Sequence, residues 1–75
     1  MSPKEIYSII AEVLKISIDD VNDELSVGDI PSWDSLAHMQ LIEALEQASE
    51  TTLDIETIIE IEDVQDLLEV FQKTD

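Results

Sequence analysis

The sequence predicts an all-α fold, a small bundle of three longer helices and one short helix with a long first loop. Apolar residues recur at helical spacing in separate stretches of the chain. Residues that are suited to cap a helix precede these stretches. A length of 75 residues allows one small domain, over residues 1–75, with a thin core and modest stability.

The first helix has a clear start. Ser2 is a good N-cap, Pro3 suits the first helical position, and Glu5 completes a capping box. We therefore expect a helix from residue 3 to residue 15. Its apolar side consists of Ile6, Ile9, Ile10, Val13 and Leu14.

Residues 16–34 show no sustained period and are predicted to form the long first loop. They include the single glycine of the chain, Gly28, and several residues that favour turns. A loop of this length in a small domain tends to be functional. Trp33 is expected to anchor it on the bundle, because a lone tryptophan carries a large area to bury. Further apolar anchors are available at Ile18, Val21, Leu25, Val27 and Ile30.

The second helix is predicted to begin near Ser35, with Asp34 or Ser35 as its cap. We expect it to end by Glu50, since Thr51 and Thr52 interrupt the helical pattern. Its apolar stripe consists of Leu41, Ile42, Leu45 and Ala48.

The C-terminal third is predicted to contain a short helix and a longer one. Four isoleucines within residues 55–61 would also suit a strand, but a lone strand has nothing to pair with, so we expect a short helix. The last helix is predicted over residues 64–72 with Asp63 as its cap. Its apolar residues follow the i, i+3, i+4, i+7 pattern of a buried helix face, at Val64, Leu67, Leu68 and Phe71.

The composition restricts the partners that the chain can have. Nineteen acidic residues against three lysines give a net charge of −16, which repels nucleic acids and anionic membranes. Proteins with basic patches are the expected partners. There is no cysteine, no apolar run long enough to span a bilayer and no signal-peptide pattern, so we expect a cytoplasmic monomer.

The sequence lacks the patterns of a hydrolase site and of a calcium-binding loop. Asp34, Ser35 and His38 lie within one turn of helix, which does not give the relay geometry of a hydrolase, and no Gly-rich oxyanion loop is present. We therefore expect no enzyme activity and no catalytic residue. The acidic run that begins near Asp20 fails as a calcium-binding EF-hand loop, because its sixth position is not glycine and its twelfth is Pro31. We predict no metal site.

The segment from Gly28 to Ile42 carries a family resemblance. Its triplet Asp34-Ser35-Leu36, at the end of a long loop and the start of an amphipathic helix, resembles the acyl carrier and peptidyl carrier proteins. The helix order, the acidic balance and the length match as well, over nearly the whole chain. Trp33 before the triplet makes it more similar to stand-alone carriers of specialised pathways than to the housekeeping fatty-acid carrier.

The resemblance implies a function for the triplet. Ser35 matches the serine whose hydroxyl receives 4′-phosphopantetheine from coenzyme A through a phosphopantetheinyl transferase. Asp34 and Leu36 match its neighbours in the recognition motif. The arm would hold an acyl intermediate of fatty acid or polyketide biosynthesis as a thioester. An aminoacyl or peptidyl cargo, or an unmodified acidic adaptor, is the alternative.

The resemblance also implies a partner face and an interior. The partner face would meet acyl-activating or acyl-transfer enzymes through their basic docking patches, and it consists of Leu36, Met39, Gln40, Glu43 and Glu46. The positions that match the family's bundle interior are Leu41, Leu45, Leu53, Ile61 and Val64.

Overall fold

Four α-helices and one turn of 3₁₀-helix make up the regular structure of a computed structural model that describes residues 1–72. The last three residues of the domain predicted over 1–75 lie outside the described residues. No strand forms within residues 1–72, so the predicted all-α fold of three longer helices and one short helix is confirmed. The helices are α1 (Pro3–Leu14), α2 (Ser35–Ser49), α3 (Ile55–Glu60) and α4 (Val64–Gln72).

The first helix begins as predicted and ends one residue early. The Ser2 hydroxyl accepts the N–H of Glu5 at 3.2 Å, and the Glu5 carboxylate accepts the N–H of Ser2 at 3.2 Å, which completes the capping box. The helix stops at Leu14 because Lys15 turns into the left-handed region, with φ of 60°. Glu50 ends α2 in the same way, with φ of 56°. Both residues are C-terminal caps, and no periodic pattern in the sequence marks such a cap.

Aspartate caps begin the other three helices. A carboxylate oxygen of Asp34, Asp54 or Asp63 accepts an N–H from the first turn of α2, α3 or α4, each at 2.8 Å. Of the two caps weighed for α2, Asp34 is therefore the one used. Ser35 is the first residue of the helix, and its side chain takes no part in capping.

The core lies where α1 packs against α2 and α4. It is formed by Ile6, Ile10, Ala11, Leu14, Val21, Trp33, Leu41, Ile42, Leu45, Ile61, Val64, Leu67, Leu68 and Phe71. Leu53, expected in the interior, is half-buried against this cluster. Ala48 was placed on the core stripe of α2, which is wrong. It is exposed in the last turn of the helix, at a shallow groove between α2 and α1.

The first loop is held in place by backbone hydrogen bonds. The N–H of Val27 donates to the carbonyl of Glu62, and the N–H of Val64 donates to the carbonyl of Leu25, each at 2.9 Å. These bonds tie the loop to the start of α4. Gly28, at a φ of 89° that favours glycine, donates its N–H to the Trp33 carbonyl at 2.8 Å.

Side chains anchor the same loop on the bundle. Trp33 is fully buried, which confirms its predicted anchoring. Of the other expected anchors, Val21 is buried, and Leu25 and Ile30 pack partly against the core. The expectation was wrong for Ile18 and Val27, which are exposed. The loop also contains a 3₁₀ turn, Ile18–Asp20, that the sequence pattern did not predict. The long first loop is therefore an ordered segment, and it delivers the chain to Asp34 in a fixed position.

Candidate functional site

The start of α2 presents an exposed serine with spare hydrogen-bonding capacity beside it. Ser35 is exposed, and its hydroxyl has no hydrogen-bond partner within residues 1–72. The Asp34 cap uses the N–H of Ala37. The N–H groups of Ser35 and Leu36 have no acceptor in the described part of the chain. Two backbone donors therefore flank an accessible hydroxyl.

This local geometry fits a phosphodiester on Ser35. Free N–H groups and the positive end of the helix dipole both favour an anion at a helix start. No lysine or arginine occurs between Lys15 and Lys73, so the segments around the site bring no cationic side chain. A phosphate on Ser35 would be held by the backbone of Ser35 and Leu36.

An apolar groove opens directly beside Ser35, between the first turns of α2 and the short helix α3. We call it the α2–α3 groove; its volume is about 380 Å³. Most of its lining is aliphatic or thioether, and Glu62 is its one carboxylate among residues 1–72. The lining residues are Val27, Ser35, His38, Met39, Ile55, Ile58, Ile59, Ile61 and Glu62. An apolar chain attached near Ser35 has a surface there on which it can leave water.

The sequence analysis did not predict this groove. It treated the isoleucines of α3 only as support for a short helix. Two of them, Ile55 and Ile59, are 62% and 70% exposed, so they are not part of the core. Three isoleucines on a six-residue helix too short to bury them all were the available signal.

The predicted partner face is largely accessible. Leu36 is 69% and Met39 is 47% exposed, and Gln40 and Glu43 are exposed as well. At about 100° per residue, these four positions and Ser35 fall within an arc of about 140° on α2. The structure thus brings them together on one side of the helix, next to the exposed isoleucines of α3.

Glu46 differs from the other residues of that face. It is half-buried, and its Oε2 accepts the backbone N–H of Leu53 at 2.7 Å. This bond fastens the segment between α2 and α3. Glu46 therefore has a structural contact besides any role toward a partner.

His38 lies behind Ser35, half-buried at the floor of the groove. Its Nδ1 accepts the indole N–H of Trp33 at 3.0 Å, and the two rings stack with centroids 6.0 Å apart. Burial lowers the pKa of His38 below its ordinary value of 6.5, against an opposing effect of the backbone carbonyls of Ile61 and Ile58. No hydrogen bond joins His38 to Ser35, so the relay geometry of a hydrolase does not form.

Two features are absent from the described residues. No helix in residues 1–72 has the length and apolar character needed to cross a membrane. In the same part of the chain, no group of three or more histidine, aspartate or glutamate side chains is placed to hold a metal ion.

Comparison with known proteins agrees with the geometry. A comparison with curated proteins finds no match. The model of one family, described as the phosphopantetheine attachment site, matches residues 4–71. That span covers all four helices except the first residue of α1 and the last of α4. The chain therefore belongs to the phosphopantetheine-binding carrier family, whose domains are attachment sites for covalent 4′-phosphopantetheine.

Proposed function

We propose that this protein is an acyl carrier whose phosphopantetheine arm is attached to Ser35. The observation that carries the assignment is an exposed serine as the first residue of α2, with an unbonded hydroxyl and two unpaired backbone N–H groups beside it. When bound, the arm supplies a terminal thiol that holds cargo as a thioester. Asp34 caps the helix and Leu36 is the exposed residue that follows Ser35, which supports their role as recognition residues.

Attachment at Ser35 is tested by intact-protein mass. Apo protein is incubated with coenzyme A and a broad-specificity phosphopantetheinyl transferase. We expect the wild type to gain one phosphopantetheine and Ser35→Ala to gain none. Ser32→Ala removes another exposed serine, three positions earlier in the loop, and should be labelled like the wild type. A wild type that no transferase modifies would leave the unmodified adaptor as the better reading.

An acyl cargo is favoured over an aminoacyl or peptidyl cargo by the α2–α3 groove. A hydrocarbon chain gains about 0.8 kcal/mol for each methylene that it buries. The isoleucines of α3 and Met39 offer such a surface next to the attachment serine. The ammonium group of an aminoacyl cargo would lose hydration there, and in the described part of the lining Glu62 is the only carboxylate that could compensate.

The cargo assignment is tested by loading matched cargoes. The transferase is supplied with coenzyme A that carries a medium-length acyl chain or an aminoacyl group. We expect the acyl chain to shift the methyl resonances of Ile58, Ile59 and Met39, and the aminoacyl group to leave them near the unloaded values. Ile9 and Val13, at the separate α1–α2 groove, are the internal reference. Equal shifts at the two grooves, or larger α2–α3 shifts with the aminoacyl group, would contradict the acyl assignment.

The partners follow from the same surface. We propose that the transferase and acyl-activating or acyl-transfer enzymes approach over Leu36, Met39 and Glu43, with basic residues around an apolar notch. The carrier supplies no catalytic group of its own. A cytoplasmic location and a monomeric state complete the proposal, since the arm is drawn from the cellular pool of coenzyme A.

A further inference from the structure

The chain has one tryptophan and one histidine, and they are bonded to each other. An indole N–H is a donor only, and a buried donor without an acceptor is costly. Trp33 is fully buried, and the acceptor of its N–H is Nδ1 of His38 at 3.0 Å. The rings lie within 25° of parallel. We call this pair the Trp33–His38 clasp.

The clasp requires a neutral imidazole. A nitrogen that accepts a hydrogen bond cannot carry a proton, so Nδ1 is bare and the ring proton is on Nε2. In the imidazolium both nitrogens are donors, and Nδ1–H would face the indole N–H. Protonation of His38 therefore breaks the clasp and leaves the buried indole N–H without its acceptor.

The clasp spans the attachment serine. Trp33 is the last loop residue before the Asp34 cap, and His38 is one turn into α2, so the bond closes over residues 34–37. The Trp33 carbonyl also accepts the N–H of Gly28 at 2.8 Å, which fixes its other side. The start of α2 is thus held by the carboxylate cap of Asp34 and by the bond between the Trp33 and His38 side chains.

We propose that neutral His38 is a positioning residue for Ser35: through the Trp33–His38 clasp it fixes the loop end and the first turn of α2 in the arrangement that the transferase recognises, and its protonation releases them. The proposal rests on the attachment at Ser35 proposed above. His38 acts through Trp33 and touches no reacting atom.

The surroundings of His38 contain few groups that would obscure its titration. From the loop, Val27 lines the same groove, and α3 contributes only isoleucines. The segment after α3 contributes Glu62, and Asp34 lies one turn back along the chain, before α2. Both are carboxylates, and burial of the ring works against the charge that they would favour. The switch is therefore expected below the ordinary histidine value of 6.5.

Two substitutions at one position test the clasp. His38→Phe keeps a planar ring but removes the acceptor. His38→Asn places an amide oxygen near the position of Nδ1, and it does not titrate. At about pH 8 we expect kcat/KM of the transferase to fall roughly tenfold with His38→Phe and to stay within about twofold of wild type with His38→Asn. Each kcat/KM is divided by that of Trp33→Phe at the same pH, which removes the transferase's own pH dependence. Below about pH 6 this ratio should fall toward the His38→Phe value for the wild type and stay unchanged for His38→Asn.

A readout without the transferase separates the clasp from the attachment reaction. The single indole N–H gives one signal in a ¹⁵N-correlated NMR spectrum. Relative to the intrinsic exchange rate at the same pH, we expect this N–H to be protected in the wild type and in His38→Asn, and unprotected in His38→Phe and in wild type at acid pH. The Trp33→Phe variant has no indole N–H to satisfy. Adding His38→Phe to it should therefore change the labelling rate little.

The outcomes distinguish the two proposals. If the wild type is never labelled at any pH, the attachment at Ser35 fails. If it is labelled but His38→Phe matches it in rate, or the indole N–H exchanges equally fast in both, the clasp proposal is overturned. A pH profile of wild type parallel to that of His38→Asn would overturn it too.

Discussion

The cap of α2 gives the sharpest prediction, because the molecule contains a matched control for it. Asp34 and Asp63 each accept one first-turn N–H at 2.8 Å, at the starts of α2 and α4. Asp34→Ala and Asp63→Ala each remove one such bond and one of the nineteen acidic groups. The change in overall charge is therefore the same in both variants. Only Asp34 adjoins Ser35, so the two variants should share a stability effect and differ in function.

The magnitude follows from the lost cap. Replacing an aspartate N-cap by alanine costs about 1 kcal/mol, within a range of about 0.5–2 kcal/mol. With a urea m-value of about 1 kcal/mol/M for a small domain, the unfolding midpoint should fall by about 1 M. The melting temperature should fall by about 4–8 °C per kcal/mol. Asp34→Asn keeps an acceptor of nearly equal capping strength, so most of this loss should be recovered.

The assay is urea unfolding followed through the fluorescence of Trp33, the single and fully buried tryptophan. Labelling by the transferase is measured on the same variants. We expect Asp34→Ala and Asp63→Ala to lose similar stability, and only Asp34→Ala to be labelled slowly. Asp34→Asn should regain stability while its labelling stays slow, since the carboxylate is part of the recognition motif. An unchanged midpoint for Asp34→Ala beside a lowered one for Asp63→Ala would refute the capping account.

Three further predictions concern charge. Glu43→Lys should slow association with the transferase and weaken its salt dependence, whereas Glu12→Lys on α1 should do much less; equal losses in stopped-flow binding would mean that only net charge matters. The melting temperature should rise with added salt, because screening over about 10 Å at about 0.1 M weakens repulsion among the carboxylates, and a flat salt series would oppose this. The hydrogen bond from Tyr7 to Asp23 raises the pKa of Tyr7 above 10.0, so its stabilisation is present below that pH and lost as pH rises through the raised value. An absorbance titration of Tyr7 should end above pH 10.0, and Asp23→Asn should lower its midpoint.

Local signals in the sequence predicted the helices well. The capping box at Ser2 and the aspartate caps act over three residues, so they can be read without knowledge of the tertiary structure. Burial of Trp33 also followed from its size alone. Asp34 and Ser35 were equal candidates for the cap, because either side chain can accept the same N–H. The backbone at Asp34 decided between them.

Features that depend on tertiary packing escaped the sequence. The bond from Leu53 to Glu46 joins residues seven apart, beyond any helical spacing. The α2–α3 groove exists because α3 packs beside the first turns of α2, which no periodicity encodes. Ala48 had the right spacing for the core but lies where α1 no longer covers α2. Whether a helix residue is buried depends on the element that packs over it as well as on its position in the apolar stripe.

The carrier assignment as a whole is tested most directly by mass spectrometry of the protein purified from its native host. The account predicts that the peptide containing Ser35 carries one 4′-phosphopantetheine with an acyl group held as a thioester, which hydroxylamine cleaves to the acyl hydroxamate and the free thiol. Peptides containing Ser32 or any other serine should be unmodified. A Ser35 peptide that is bare in the native protein, or an arm located on another residue, would contradict the central claim. An aminoacyl group on the arm at Ser35 would keep the carrier and overturn the proposed cargo.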